Sequence, residues 1–307
     1  MALQTAAEIR TLIARHKRWD VIFGLVGIVC LAIGLLTFAT LFVDMLLDGY
    51  TRLKPQFFTE FPSRRAGQAG ILSAWVGTIM VMLVTAAVAV PLGVAAGIYL
   101  EEYAPRNWVT DVIEINISNL AGVPSIVYGL LALGLFVYQF GLGQSVATAG
   151  LTLALLILPV VIVATREAIR AIPGAIREAA YALGATKWQV VQGHILPYST
   201  GGILTGVIIG MARAIGETAP IITIGALTFI AFLPPSPVGT EFPFLNFEWL
   251  KSPFTVMPIQ IFNWTSRPDP AFHANAAAAG FILVFMTLAM NGLAIWLRYR
   301  IRRNIKW

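Results

Sequence analysis

The fold is decided by residues 166–220, which read REAIRAIPGAIREAAYALGATKWQVVQGHILPYSTGGILTGVIIGMARAIGETAP. The first part of this stretch is polar and charged, so it is not expected to lie in lipid. It then runs directly into an apolar segment that carries Arg213 and Glu217 one helical turn apart. The stretch therefore predicts a surface outside a membrane, followed by a charged site inside one.

The composition of the whole chain agrees with a membrane protein. Of its 307 residues 58% are hydrophobic and 12% are charged, against about 25% charged residues in an average soluble domain. Several uncharged runs exceed eighteen residues, whereas the buried helix of a soluble protein needs an apolar run of about 10–14. The pattern indicates an all-α, polytopic membrane protein.

Counting the uncharged runs predicts six transmembrane helices. They are roughly Val21–Val43, Ile71–Leu100, 118–140, 145–165, Pro197–Phe232 and Ala276–Leu297. The glycines of Gly141-Leu142-Gly143-Gln144 supply the turn between the third and the fourth. We expect residues 1–70 to hold an N-terminal cytoplasmic segment, the first transmembrane helix and an external loop, and residues 71–300 to form the main transmembrane domain.

The basic residues predict the orientation. With both termini inside, fourteen lysines and arginines lie on the cytoplasmic side and six outside, in agreement with the positive-inside rule. This distribution accounts for the formal charge of +6 without a nucleic-acid partner. The external six are Arg52, Lys54, Arg64, Arg65, Lys251 and Arg267.

Prolines interrupt four of the predicted helices. Each removes one helical hydrogen bond and is expected to bend its helix, whether for function or as ordinary kinking. The four are Pro91, Pro124, Pro159 and Pro220. The segment from Leu233 to Asn275 is too rich in proline to cross the membrane, and it is either an interfacial cap that uses its aromatic residues or a docking surface for an external partner.

The polar half of residues 166–220 predicts two helices joined by a corner. Apolar residues recur every three or four positions from Ile169 to Leu183, and Gly184 follows where glycine commonly ends a helix. Thr186 and Gln189 have the capping-box spacing that begins a new helix, on which Trp188, Val191 and Ile195 share a face. The corner either contacts a soluble partner or folds back on its own chain.

The charged pair in the apolar half predicts an anion site. An arginine within the bilayer costs at least about 2.5–3.5 kcal/mol, so it persists only where something compensates for it. Glu217 can neutralise Arg213 from the next turn, and a guanidinium donates two parallel hydrogen bonds to an oxyanion. The alternative is a buried ion pair that locks two helices together.

At the corner the sequence resembles a known family. Glu178-Ala179-Ala180, then Gly184, then Leu196-Pro197 are similar to the EAA loop of ABC-importer permeases, although His194 stands where an aliphatic residue is usual. The resemblance implies that this loop, at about 166–196, couples the permease to an ATPase subunit. The residues that it assigns to coupling are Arg177, Glu178, Ala179, Ala180, Gly184, Thr186, Lys187 and Trp188.

Two further motifs narrow the resemblance. Residues 212–220, ARAIGETAP, and 122–130, GVPSIVYGL, are similar to signatures of phosphate-specific permeases of the Pst system, and Ala219-Pro220 resembles its PstA type. This implies a type I ABC-importer (MetI-like) fold in the bacterial inner membrane, and a substrate pathway that includes Arg213, Glu217, Thr218 and Ser125. No metal site is expected.

The same resemblance implies a set of partners. They are a second, PstC-like phosphate permease, a homodimer of PstB-like ATPases, an extracytoplasmic PstS-like phosphate-binding protein and membrane lipid. The sequence has no Gly-xxxx-Gly-Lys-Ser/Thr phosphate loop, so ATP and Mg would be bound by the ATPase chains and no cofactor by this one.

Three other functions remain alternatives. An ABC permease for another oxyanion, such as molybdate or sulfate, would share the corner but not the run from Arg213 to Pro220. An ion-coupled secondary carrier would have no reason for the corner and usually shows internal repeats. A membrane scaffold without transport activity would need neither motif.

Overall fold

The structure is a computed structural model that describes residues 2–237 and 246–303. Within those residues all regular secondary structure is helical, and there are no strands. The helices are α1 (Ala2–Gly49), α2 (Pro55–Thr59), α3 (Leu72–Ile98), α4 (Trp108–Leu120), α5 (Ser125–Ala132), α6 (Val146–Arg170), α7 (Gly174–Ala182), α8 (Lys187–Val190), α9 (Leu196–Gly216), α10 (Ala219–Thr223), α11 (Met257–Thr265) and α12 (Ala271–Arg303). Three of them continue as π-helix: α3 through Tyr103, α5 through Gln139, and α8 through Ile195 into α9.

Five described helical stretches are long and apolar enough to cross a membrane, and a bent pair of helices would make a sixth. The five are His16–Arg52, Leu72–Tyr103, Val146–Arg170, Lys187–Gly216 and Ala271–Arg300. They match the first, second, fourth, fifth and sixth predicted spans in place. The first and sixth predicted spans, Val21–Val43 and Ala276–Leu297, fall inside longer helices, because these helices continue past the apolar run into the polar flanks.

The third predicted span, 118–140, is not one helix. The structure has α4 and α5 instead, with α5 extended to Gln139 and an angle of 106° between the two parts. Pro124 lies at the break, where it caps the start of α5. Because Pro124 has no N–H to donate to the carbonyl of Leu120, the chain turns there, and the Tyr128 hydroxyl donates to that carbonyl at 2.7 Å.

The fifth predicted span, Pro197–Phe232, also ends early. Its helix stops at Gly216, and Glu217 is extended, with φ −75° and ψ 127°. The prediction that Pro220 bends a continuous helix is therefore wrong. Pro220 lies in the first turn of the short helix α10. The reason is that Pro220 cannot donate to the carbonyl of Gly216, while its fixed φ suits the start of a new helix. Pro91 and Pro159 do lie inside α3 and α6.

Helix α6 is the centre of the bundle. Most of its residues are buried, between α3 on one side and α9 on the other. Small residues permit the close approach: a Cβ on Gly93 would lie 2.7 Å from Val161 Cγ1, and a Cβ on Gly206 would collide with the Cβ of Ala164. Both glycines therefore allow their helices, α3 and α9, to pack closely against α6.

We predict that Gly206→Leu destabilises the bundle by about 1–3 kcal/mol, because the added side chain has no space against α6. Thermal unfolding in detergent measures the effect. Gly201→Leu is the matched control, since Gly201 lies in the same helix and faces open space. Equal shifts in Tm for the two variants would contradict the packing described here.

The described contacts of helix α1 with the bundle lie near the C-terminal end of this helix. The most apolar part of its span contains no buried residue, and its described contacts with α12 include Phe42, Met45 and Gly49, near its end. Phe42 packs on Phe281 with ring centroids 4.7 Å apart, and a Cβ on Gly49 would lie 2.5 Å from the Ala278 nitrogen. The first helix is thus peripheral to the core formed by the others.

The described part of the proline-rich segment after the fifth span packs against the helix bundle of the same chain. The amide of Met257, at the start of α11, donates to Thr78 Oγ1 at 2.9 Å, and Trp264 is fully buried. The Leu227 amide donates to the Phe254 carbonyl at 3.2 Å. This part of the segment is a cap on the bundle, and residues 238–245 lie outside the described residues.

Candidate functional site

The two phosphate-permease-like motifs meet in the structure. Helix α5 packs against α10, and the contact is so close that a Cβ on Gly129 would lie 2.7 Å from Pro220 Cα. Thr223 covers the same glycine, and its hydroxyl donates to the Pro220 carbonyl at 2.8 Å. The two motifs, 122–130 and 212–220, therefore meet at Gly129 and Pro220.

Arg213 and Glu217 form an ion pair beside that contact. Arg213 Nε lies 3.2 Å from Glu217 Oε1, and their side chains are 37% and 18% exposed. Arg213 is in the last turn of α9 and Glu217 is the residue that ends this helix. The pair joins neighbouring turns of one segment, so it does not lock two helices together, which was the alternative interpretation.

The pair lies at a level of the bundle that is away from its ends. Ala214, next to Arg213, lines the same small cavity as Leu153 and Glu217. Leu153 is seven residues from the start of α6, which places this level about 10 Å along the axis from the end of that helix. The cavity has a volume of about 10 Å³, enough for about one water molecule. Glu217 thus has this cavity on one side and Arg213 on the other.

Tyr128 belongs to the same site, and sequence reasoning did not single it out. It is buried, and it directly precedes Gly129, the residue of α5 that rests against Pro220. The signal available in the sequence was its place three residues after Ser125 in the second motif. Ser125 begins α5 and is half-buried, and Thr218 is half-buried between α9 and α10.

The arrangement can hold an anion transiently. The guanidinium of Arg213 is accessible from the open side of this chain, while one carboxylate occupies only its Nε. An oxyanion can approach the remaining donors, and Glu217 opposes its retention by like-charge repulsion.

The predicted corner between α7 and α8 is present. Gly184 has φ +81°, a left-handed conformation that a side chain would strain. Thr186 and Gln189 form the predicted capping box: the Thr186 amide donates to Gln189 Oε1 at 2.8 Å and the Gln189 amide donates to Thr186 Oγ1 at 3.4 Å.

Two details of the predicted corner are wrong. The periodic run from Ile169 to Leu183 is not one helix, because α6 ends at Arg170 and α7 begins after Pro173. Trp188 does not share the buried face of Val191 and Ile195: it is 59% exposed and Val190 is buried instead. The π-helical turn at Val191–Ile195 changes the helical phase at this point.

The corner has one face on the bundle and one open face. Ala180 packs with Ile169, Val190 and Ile195 in a small core. The open face carries exposed residues of mixed character, with Leu183 at 90% exposure. These exposed residues are Glu178, Ala179, Tyr181, Leu183, Gly184, Thr186, Lys187 and Trp188.

Arg177 does not lie on the open face. Its guanidinium pairs with Glu102 at 2.8 Å and donates to the carbonyls of Ile172 and Ile169 at 3.0 and 3.1 Å. Lys187, although exposed, stacks over the Tyr103 ring at 5.0 Å. Both cations fasten the corner to the end of α3, which the sequence pattern could not reveal.

The fold is shared with solved importer permeases. The structure aligns with a chain of the MetNI methionine ABC transporter in an inward-facing conformation, with a TM-score of 0.58 and 15% identity, over 75% of this chain and 95% of that one. This likeness establishes the predicted all-α, MetI-like fold.

Residues 89–307 match the family of binding-protein-dependent transport system inner membrane components. The chain belongs to this family: it is a membrane permease subunit of an ABC importer and not an enzyme, as the corner motif predicted. It is 32% identical over 296 residues to the probable ABC transporter permease protein YqgI of Bacillus subtilis, covering 92% of this chain and 95% of that one.

Its relatives also include named phosphate permeases. It is 34% identical to the phosphate transport system permease protein PstA of Mycobacterium leprae, over 75% of this chain and 70% of the relative. It is 34% identical to the PstA of Yersinia pestis, over 77% and 75%. The predicted resemblance to PstA-type permeases is confirmed.

Proposed function

We propose that this permease carries inorganic phosphate across the bacterial cytoplasmic membrane. The observation that carries the proposal is the Arg213–Glu217 pair, packed beside the joined motifs at Gly129 and Pro220. A guanidinium with free donors suits a tetrahedral oxyanion, and relatives named for phosphate transport support phosphate among the oxyanions.

The exposure of Arg213 on one side of this chain supports the presence of a second permease subunit there. The Arg213 side chain is 37% exposed in this single chain, at a level away from the ends of the bundle, which leaves room for a second chain to complete the pathway. We propose that a PstC-like permease covers this side, and that a PstS-like binding protein delivers phosphate from outside. Both termini then lie in the cytoplasm.

The proposed motor is a pair of PstB-like ATPase subunits that bind ATP and Mg. They would dock on the open face of the corner, where Glu178, Leu183 and Trp188 are exposed. Movement of this corner would then switch the bundle between two access states.

We predict that Leu183→Asp weakens association with the ATPase subunits at least about tenfold, because a charge would replace an apolar side chain at the proposed interface. The folding of the permease is unaffected, since Leu183 is 90% exposed. Copurification and binding titration measure the effect. Leu183→Met is the control that keeps binding, and unchanged binding of Leu183→Asp would exclude this face as the dock.

Uptake of radiolabelled phosphate into proteoliposomes that hold the whole complex tests the substrate. We expect ATP-dependent uptake that excess unlabelled phosphate suppresses and excess sulfate or molybdate does not. Uptake of sulfate or molybdate instead of phosphate would assign the permease to another oxyanion. Uptake that needs an ion gradient and no ATP would indicate a secondary carrier.

A further inference from the structure

Two adjacent glutamates at the π-helical end of α3 connect different parts of the chain. Glu102, whose side chain is only 6% exposed, accepts hydrogen bonds from Arg177 Nε at 2.9 Å and Nη2 at 2.8 Å. Glu101 accepts two hydrogen bonds from Arg170, at 3.0 and 3.3 Å. One glutamate therefore holds the corner helix α7, and its neighbour holds α6.

Arg166 extends these contacts to a fourth helix. Its side chain is 8% exposed and lies 3.5 Å from Glu101 and 2.5 Å from Glu114 of α4. The ion pairs thus run from α7 through α3 and α6 to α4. Glu102 and Arg166 are buried, and removing one member of a buried pair leaves a charge without compensation, unlike the loss of an exposed pair.

Helix α4 is connected to the bundle mainly through α6. It meets α5 at 106°, and the side that it turns to the bundle is polar, with Thr110 buried and Glu114 paired. Its apolar residues Trp108, Val112 and Ile115 are exposed in this chain. Glu114 is therefore the ionic attachment of α4 to α6 among the described contacts.

The far end of α4 leads directly to the anion site. After the turn at 121–124 the chain enters α5, whose Gly129 rests against Pro220, three residues from Glu217. A displacement of α4 therefore moves the surface beside the Arg213–Glu217 pair.

We propose that Glu101, Glu102 and Arg166 transmit movement of the corner to α4 and so to the anion site. This inference rests on the proposed function, in which ATPase subunits move the corner. The three side chains do not touch the substrate; they are positioning residues that keep four helices moving together during transport.

The test compares phosphate uptake with ATP hydrolysis in the same proteoliposomes, using the whole complex. Glu102→Gln separates the corner from α3, and Glu114→Gln separates α4 from α6. We expect each to lower the phosphate transported per ATP hydrolysed at least about tenfold while hydrolysis continues, because Glu102→Gln breaks a buried pair and Glu114→Gln removes the ionic contact of α4 with α6. Glu102→Asp, which keeps the charge, should recover most of the coupling.

Glu167→Gln is the matched control. Glu167 pairs with Arg170 of the same helix at 3.3 Å and its side chain is 63% exposed, so its loss separates no elements. It should leave the ratio at the wild-type value. If Glu102 and Glu114 only stabilised the fold, their variants would lower assembly and uptake together. ATP hydrolysis without transport would then not be observed.

Wild-type coupling in Glu102→Gln and Glu114→Gln would overturn the inference. If Glu102→Gln does not assemble, Glu114→Gln decides, because its carboxylate is 32% exposed and its loss is better tolerated. Absence of phosphate uptake by the wild-type complex would instead refute the proposed substrate, and the ratio would then be measured with the oxyanion that is transported.

Discussion

Arg213→Ala is expected to abolish phosphate uptake by the assembled complex. The guanidinium provides the positive charge of the site, and it lies on the side of the chain that the proposed second permease would cover and shield from water. Loss of a charged hydrogen-bonding partner costs about 1.5–3 kcal/mol, which by itself corresponds to a fall of about 10- to 150-fold, and the cost is larger where the group is shielded from water. Initial rates of radiolabelled uptake in proteoliposomes measure it.

The variant must be shown to assemble. Glu217 is 18% exposed and borders a cavity, so Arg213→Ala leaves a carboxylate without its partner. Copurification with the second permease and the ATPase checks this, and the double variant Arg213→Ala/Glu217→Gln removes the unpaired charge. Arg298→Ala is the control: Arg298 lies in α12 and donates to Thr205 Oγ1 at 2.6 Å, away from the anion site. Normal uptake by an assembled Arg213→Ala complex would show that Arg213 does not serve the substrate.

Gly129→Ala is expected to have the second-largest effect. The added methyl group would lie 2.7 Å from Pro220 Cα and would also collide with the Thr223 hydroxyl, so α5 and α10 must separate. Such overpacking costs about 1–3 kcal/mol, and the separation displaces the chain next to Glu217. We expect uptake to fall at least about tenfold, since small displacements at a site cost much of its activity.

Gly134→Ala is the control for this variant. Gly134 lies five residues further along the same helical segment, and a Cβ there would meet nothing within 4 Å. It should keep wild-type uptake and thermal stability. If Gly129→Ala and Gly134→Ala transported phosphate equally well, the contact between the two motifs would not matter for transport.

Local sequence chemistry was enough to predict the corner and most of the helices. The conformation of Gly184 and the Thr186–Gln189 capping box depend on a few neighbouring residues, so their pattern identifies them directly. The apolar runs likewise identify the transmembrane helices, because length and hydropathy alone decide whether a helix can cross.

The sequence was less informative wherever a proline offered two outcomes. A proline in an apolar run either kinks one helix or separates two, and the choice depends on tertiary contacts. Pro91 and Pro159 lie inside helices, whereas Pro124 and Pro220 begin new ones. The packing of Gly129 on Pro220 joins segments about ninety positions apart, and no local pattern reveals it.

Side-chain partners were the other feature that a local pattern could not give. Arg177 looks like a residue of an exposed charged loop, but its partner Glu102 comes from a helix 75 residues away. The acidic pair Glu101-Glu102 directly after an apolar run was visible in the sequence, yet only the fold shows which cations it meets.

The loose attachment of the first helix has a practical consequence. The only cysteine of the chain, Cys30, is exposed on α1, many residues before the contacts that this helix makes with α12 through Phe42 and Gly49. A thiol-reactive fluorophore or spin label attached there would lie outside the packed core of this chain. The native thiol thus offers an internal reference, against which labels placed on the moving core can be compared in the same vesicle.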